Sequence, residues 1–235
     1  MLEHATVVDL SAPLSEDTVL WPGEDPLSAT VLDSYDTSTS YSRRVSLPEH
    51  VGTHLDAPSH YAPGGLSVAD IPPAQLVRPV VVINISTQIG ADADAELTVE
   101  HVTAHERLHG PVTPGSAVFL CTGWDSRRLD VASYRGSSTE DARDLHFPGF
   151  GVLAARLLVE DRGVVGLGID TLGIDPGSAV DTPVHRDVSL PRGVWHLENL
   201  VNLQQVPATG AWVVVGVPRI VDGSGFPARV IALLP

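Results

Sequence analysis

Apolar residues recur along this chain in short β-branched runs, at Thr6 to Leu10, Val45 to Leu47, Val80 to Ile85, Ala117 to Cys121, Val164 to Ile169, Trp212 to Val217 and Val230 to Leu234. Runs of this length predict strands, and those without polar positions predict strands buried on both faces. Two segments carry helical spacing instead. Val99 to about Leu108 follows Thr98 as N-cap, and Phe150 to about Asp161 places Leu153, Leu157 and Leu158 at helical intervals. Strands dominate, so the expected fold is α/β with a mainly β core and few helices. Gly and Pro, 21 and 19 residues, are scattered rather than gathered into a linker, and no repeat interrupts the pattern. One domain spanning 1–235 is expected.

Composition narrows the classes. With 43% hydrophobic and 18% charged residues, 235 residues can bury a substantial core. Acidic residues outnumber basic ones 29 to 14, for a net charge of −15, which argues against nucleic acid and anionic membranes as partners. No apolar run reaches the roughly 18 residues that span a bilayer. Met1-Leu2-Glu3-His4 has neither the basic start nor the apolar stretch of a signal peptide, so a cytoplasmic location is expected. Cys121, the only cysteine, excludes an intrachain disulfide and a thiolate metal cluster, and its apolar neighbours predict a small buried core residue.

The chemistry concentrates in His50-Val51-Gly52-Thr53-His54-Leu55-Asp56-Ala57-Pro58-Ser59-His60. Gly52 and Pro58 disfavour a helix here and predict a strand running into a loop. On a strand His54 and Asp56 project to one side, and Gly52 lets the backbone fold close enough to bring His50 beside them. Two imidazoles and a carboxylate suit Zn2+ or another first-row divalent ion, with a position left for water. His60 could act as general base and acid, or as a further ligand or loop cap. His185 and Glu198 offer another imidazole and carboxylate among apolar neighbours, and a buried glutamate there needs a partner. A second ion sharing Asp56 and Glu198 would be such a partner.

Other candidates weigh less. Trp21, between Leu20 and Pro22-Gly23, is expected on a turn where it can wall a pocket. His101, His105 and His109 are assigned to a solvent-exposed helix surface or its end, and His146 and His196 to structural positions. Ser224, between Gly223 and Gly225, lacks the nucleophile-elbow spacing and is read as part of a glycine turn, and no phosphate-binding loop predicts a nucleotide cofactor.

The segment from His50 to His60 resembles the H-x-G-T-H-x-D-x-P-x-H signature of the cyclase-like metal-dependent hydrolases, of the kynurenine formamidase and isatin hydrolase type. The likeness extends through Leu20-Trp21-Pro22-Gly23, Thr122-Gly123-Trp124, Gly168-Ile169-Asp170-Thr171, Pro183-Val184-His185-Arg186 and Leu197-Glu198-Asn199-Leu200. It implies a swivelling β/β/α fold and kynurenine formamidase-like hydrolysis of a cyclic or aryl amide or ester. Isatin hydrolase or lactonase activity is the alternative.

Carried over, the pattern makes His50, His54 and Asp56 ligands of one metal. Asp56, His185 and Glu198 surround a second, with His185 either ligating or orienting substrate. His60 becomes the proton-transfer residue and Trp21 a substrate contact. Zn2+ is the expected ion and Mn2+ the alternative, one or two per chain, and a homodimer or homotetramer is implied. Two rival classes stand beside this one: a non-catalytic metal-stabilised protein that binds a small molecule, and a metal-free serine hydrolase.

Overall fold

The computed structural model describes residues 6–235, so the reading of Met1 to His4 lies outside the described residues. The strands, in chain order, are β1 (Thr6–Asp9), β2 (Ser28–Asp33), β3 (Ser42–Ser46), β4 (His54–Asp56), β5 (Val77–Asn84), β6 (Glu96–Leu97) and β7 (Ala117–Cys121). They continue as β8 (Gly149–Phe150), β9 (Gly166–Ile169), β10 (Trp195–Glu198), β11 (Ala211–Gly216), β12 (Gly225–Pro227) and β13 (Arg229–Leu234). The α-helices are α1 (Ser86–Ile89), α2 (Val99–His109), α3 (Val131–Arg135) and α4 (Val152–Arg156). The mixed α/β fold with a mainly β core is the one expected.

Nine strands form one mixed sheet in the order β1-β13-β11-β5-β7-β9-β10-β4-β12. Its centre, β5-β7-β9-β10, is parallel, and both flanks are antiparallel. The parallel strands read as continuous apolar runs because both of their faces are covered, and every residue of β7 and β9 is buried. On one face Val81, Ile83, Val118 and Leu120 pack beneath Val102 of α2 and Ala154 and Ala155 of α4. On the other, Val82 and Phe119 from the centre meet Val8, Val213 and Val230 from one flank and Leu55 from the other. Strands from opposite flanks share that cluster because the sheet curls around it. Cys121 lies in the same cluster, fully buried.

Two local expectations are corrected. The second helix starts at Val152, after Gly151, because Phe150 belongs to β8. It ends in a π turn over Leu157–Asp161. The wider turn rotates the apolar stripe, so Ala154, Ala155, Leu158 and Val159 face the core while Leu153 is 72% exposed. His105 does not lie on an exposed face. It follows Val102 by three positions, shares that residue's core-facing stripe and is buried, whereas His109 at the helix end is exposed.

The run at Val45 also differs in character. β2 and β3 pair only with each other, as a hairpin whose Val31, Leu32, Tyr35, Tyr41 and Val45 are exposed. No helix among the described residues is long and apolar enough to cross a membrane.

Candidate active site

The site grows from the pairing of β4 with β10, at the carboxyl end of the parallel strands. Antiparallel register sets His196 opposite Asp56, Leu197 opposite Leu55 and Glu198 opposite His54. Side chains alternate along each strand, so both leucines enter the core and His54, Asp56, His196 and Glu198 share the other face. His54 Nε2 is 3.1 Å from Asp56 Oδ1 and 3.4 Å from Glu198 Oε2. All four residues are buried.

Three further imidazoles arrive on turns. Gly52, with φ of +60°, reverses the chain between His50 and His54, and any side chain there would strike Leu14. His50 Nδ1 then reaches Asp56 Oδ1 at 2.6 Å. His60 ends the short 3-10 turn Pro58–His60 and stacks on His50, with ring centroids 3.9 Å apart. His185 projects from the π turn Val184–Ser189, its Nε2 3.0 Å from Glu198 Oε1 and 3.4 Å from Asp56 Oδ2. Its Nδ1 pairs with Asp175 Oδ2 at 2.6 Å, and Asp175 also accepts the backbone N–H groups of Val184 and His185.

Hydrogen-bond direction shows that this set fits a cation. His54 Nδ1 donates to Gly52 O at 2.8 Å, which leaves a lone pair on the neutral ring's Nε2, and that buried atom has no hydrogen-bond partner. His185 Nδ1 donates to Asp175, so its lone pair likewise points at Glu198 and Asp56. His196 adds a third such ring: Nε2 meets Ser189 Oγ at 2.6 Å, and Nδ1, 3.8 Å from Asp56 Oδ2, has no partner. Lone pairs aimed at carboxylate oxygens need a proton or a cation between them, and nitrogen and oxygen donors of this kind suit a divalent first-row metal.

Charge tuning follows from the same packing. Burial opposes protonation of His54, yet Asp56 and Glu198 outweigh it and push its pKa up to about 9. Burial likewise works against the Asp56 carboxylate, but the His50 and His54 charges beside it hold it well below the usual carboxylate range. His60 goes the other way. Burial, with His50 and His185 adding to it, brings its pKa down to about 4 against the pull of Asp56 and Glu198, so the ring is neutral at pH 7.

These groups floor a cavity of about 270 Å3 walled by Val19, Trp21, Leu172 and Val180, with Glu24 and Tyr61 beside the histidines. Trp21 is held edge-on against Phe147 at 6.3 Å. Beneath the cavity, Asp170 accepts from Thr122 N and Oγ1 and from Gly123 N, tying together the ends of β7 and β9. Burial pushes Asp170 up to about 7, against the hydrogen bonds from Thr122.

The structure therefore brings together every residue the sequence singled out: His50, His54, Asp56, His60, His185 and Glu198 on the floor, Trp21 on the wall. Sequence reasoning missed Asp175, and it gave His196 a structural role. The alternation His196-x-Glu198 is a strand signature that could have placed both residues on one face, but Trp195–Glu198 was not read as a strand. Asp175 carries no local signal, since its partner sits on an irregular turn.

A cavity with apolar walls and a floor of imidazoles and carboxylates suits a metal-dependent hydrolase, and a family model described as putative cyclase matches residues 8–176, so the chain belongs to that family. Isatin hydrolase of Roseibium aggregatum is 34% identical over 203 residues, covering 80% of this chain and 73% of the relative. Kynurenine formamidase of Paracidovorax citrulli is 29% identical over 244 residues, 97% of this chain and 96% of the relative. The solved structure of isatin hydrolase A from Labrenzia aggregata bound to benzyl benzoate has a TM-score of 0.89 at 33% identity, covering 98% of this chain and 94% of that one. This chain is a hydrolase of the same family.

Proposed function

We propose that this chain is a metal-dependent amidohydrolase that acts on a small aryl amide, with an isatin-type cyclic amide ahead of an N-formyl aryl amine of the kynurenine formamidase type. The observation that carries the reading is the convergence of imidazole lone pairs on Asp56 and Glu198 beneath an apolar cavity. His50, His54 and Asp56 would hold one ion, and Asp56, His185 and Glu198, with His196 near them, a second. Zn2+ suits these donors best and Mn2+ is the alternative. A divalent ion bound there supplies Lewis acidity, which polarises a carbonyl and lowers the pKa of water.

The chain's own groups do the rest. A ring nitrogen of neutral His60 takes the proton from the attacking water and returns it to the leaving nitrogen. Trp21, Val19 and Leu172 bind the aromatic face and keep bulk water from it. The cyclic substrate is favoured because N-formylkynurenine carries an amino-acid carboxylate that needs a cationic partner, yet Arg143 is the only Arg or Lys among the described lining residues, and Asp141 already engages its Nε at 2.9 Å and Nη2 at 2.5 Å.

Metal analysis and an assay panel of isatin, aryl formamides and lactones test this reading. The expected result is a metal-dependent protein that turns over isatin fastest. Hydrolysis of N-formylkynurenine alone would reverse the substrate order, and chelator-insensitive turnover would overturn the class.

Self-association into a dimer or tetramer belongs to the same proposal. The exposed apolar side chains of the β2–β3 hairpin support it, because an isolated two-stranded ribbon is marginal in water. A cytoplasmic location, where Cys121 stays reduced, completes it.

A further inference from the structure

Ser224 is no bystander in a glycine turn. Its backbone N and its Oγ both donate to Glu49 Oε2, at 3.0 and 2.7 Å, and its carbonyl accepts from Ala57 N at 2.8 Å. Ser224 Oγ also lies 2.9 Å from His50 Nε2. A hydroxyl has one proton, and this one is committed to a carboxylate oxygen that takes two donors. Towards His50, Ser224 Oγ can therefore only accept. The neutral His50 ring then carries its hydrogen on Nε2, and its Nδ1 lone pair faces Asp56 Oδ1 at 2.6 Å.

The backbone holds the ring in that pose. Gly225 pairs with Asp56 across β12 and β4, and a Cβ at Gly225 would come within 2.5 Å of His50 Cε1, so His50 lies flat on a position that only glycine leaves open. The same device occurs on the opposite side of the site. Ser189 Oγ donates to Val184 O at 2.7 Å and so accepts from His196 Nε2, which turns the His196 Nδ1 lone pair towards Asp56.

We infer that Glu49 and Ser224 are positioning residues that lock His50 in its Nε2–H tautomer and present Nδ1 as the donor atom to a divalent cation shared with Asp56. The inference rests on the reading of this site as a metal centre. Outer hydrogen bonds of this kind orient a ligating imidazole and raise its basicity, and their loss typically costs about 10- to 100-fold in metal affinity.

Two measurements on the purified full chain test it. The first is 15N-resolved NMR of the histidine side chains in metal-free protein, titrated to the neutral ring and then with Zn2+. The expected spectra show His50 as the Nε2–H tautomer, with Nδ1 shifting when Zn2+ is added. An Nδ1–H tautomer, or a Zn2+ shift at Nε2, overturns the inference. The second is Zn2+ affinity by chelator competition for Ser224→Ala and Glu49→Gln. Ser224→Ala is expected to lose about 10- to 100-fold. Glu49→Gln should lose less, because the amide oxygen still accepts from Ser224. Wild-type affinity in Ser224→Ala overturns the positioning role. Wild-type protein that binds Zn2+ no better than Asp56→Asn overturns the metal-centre reading instead, and the metal-free spectra then still decide the tautomer.

Discussion

His54, Asp56, His196 and Glu198 reach the site from paired strands, whereas His50, His60 and His185 reach it from turns. In the first group the cross-strand register of β4 and β10 fixes the spacing, and Leu55 and Leu197 anchor it from the opposite face. In the second group no ladder sets the ring positions, and side chains take over: Asp175 holds His185, Ser224 with Glu49 holds His50, and stacking on His50 holds His60. One half is placed by the sheet. The other depends on single polar partners, and substitutions should separate the two.

The largest effect is expected at Asp56, whose oxygens face rings from both halves. Asp56→Asn should abolish metal binding and turnover together, measured as metal content and activity of the purified variant. Full metal occupancy would break the account of Asp56 as the shared carboxylate. His60→Ala should keep its metal and lose about 100-fold or more in turnover, the usual scale for a general acid–base group. Near-normal turnover would remove His60 from the chemistry.

Asp175→Asn sharpens the comparison itself. The fold should survive, since β4 and β10 are untouched. Metal affinity should drop about 10- to 100-fold, because Asn no longer offers His185 a carboxylate. Unchanged affinity would mean that the turn-borne half needs no support.

The smallest effect is a pH dependence. The pKa of His54 rises from 6.5 to about 9 in the folded, metal-free protein. A raised folded-state pKa contributes stability that is complete below 6.5 and lost as pH climbs through about 9. The melting temperature of metal-free protein should therefore fall across that window. The Zn2+-loaded protein should fall less, because the cation takes the proton's place. Parallel curves would contradict the assignment of His54 as a donor.

How much of this was legible beforehand follows the same division. The seven apolar runs all lie on or beside strands, and six of them belong to the nine-stranded sheet, where packing imposes its own alternation or continuity on the sequence. The His50 to His60 segment was legible as a cluster, since its members are close in the chain and a glycine marks the reversal between them. β10 was harder to see. Its four residues alternate apolar and polar, a run too short to stand out until β4 is laid beside it. The four-residue histidine repeat suggests one exposed face, whereas Val102, three positions before His105, sets the buried one.

Residue type and short-range spacing are enough for the mixed α/β core, the strand assignment of His54 and Asp56 and the family. Long-range packing is what sets His196 opposite Asp56, lets Asp175 orient His185, and brings Ser224, 174 residues away along the chain, to accept from His50. Those contacts follow from strand register and turn geometry. Hydrogen-bond direction, and with it the choice of nitrogen each imidazole offers, exists only once distant groups are in contact.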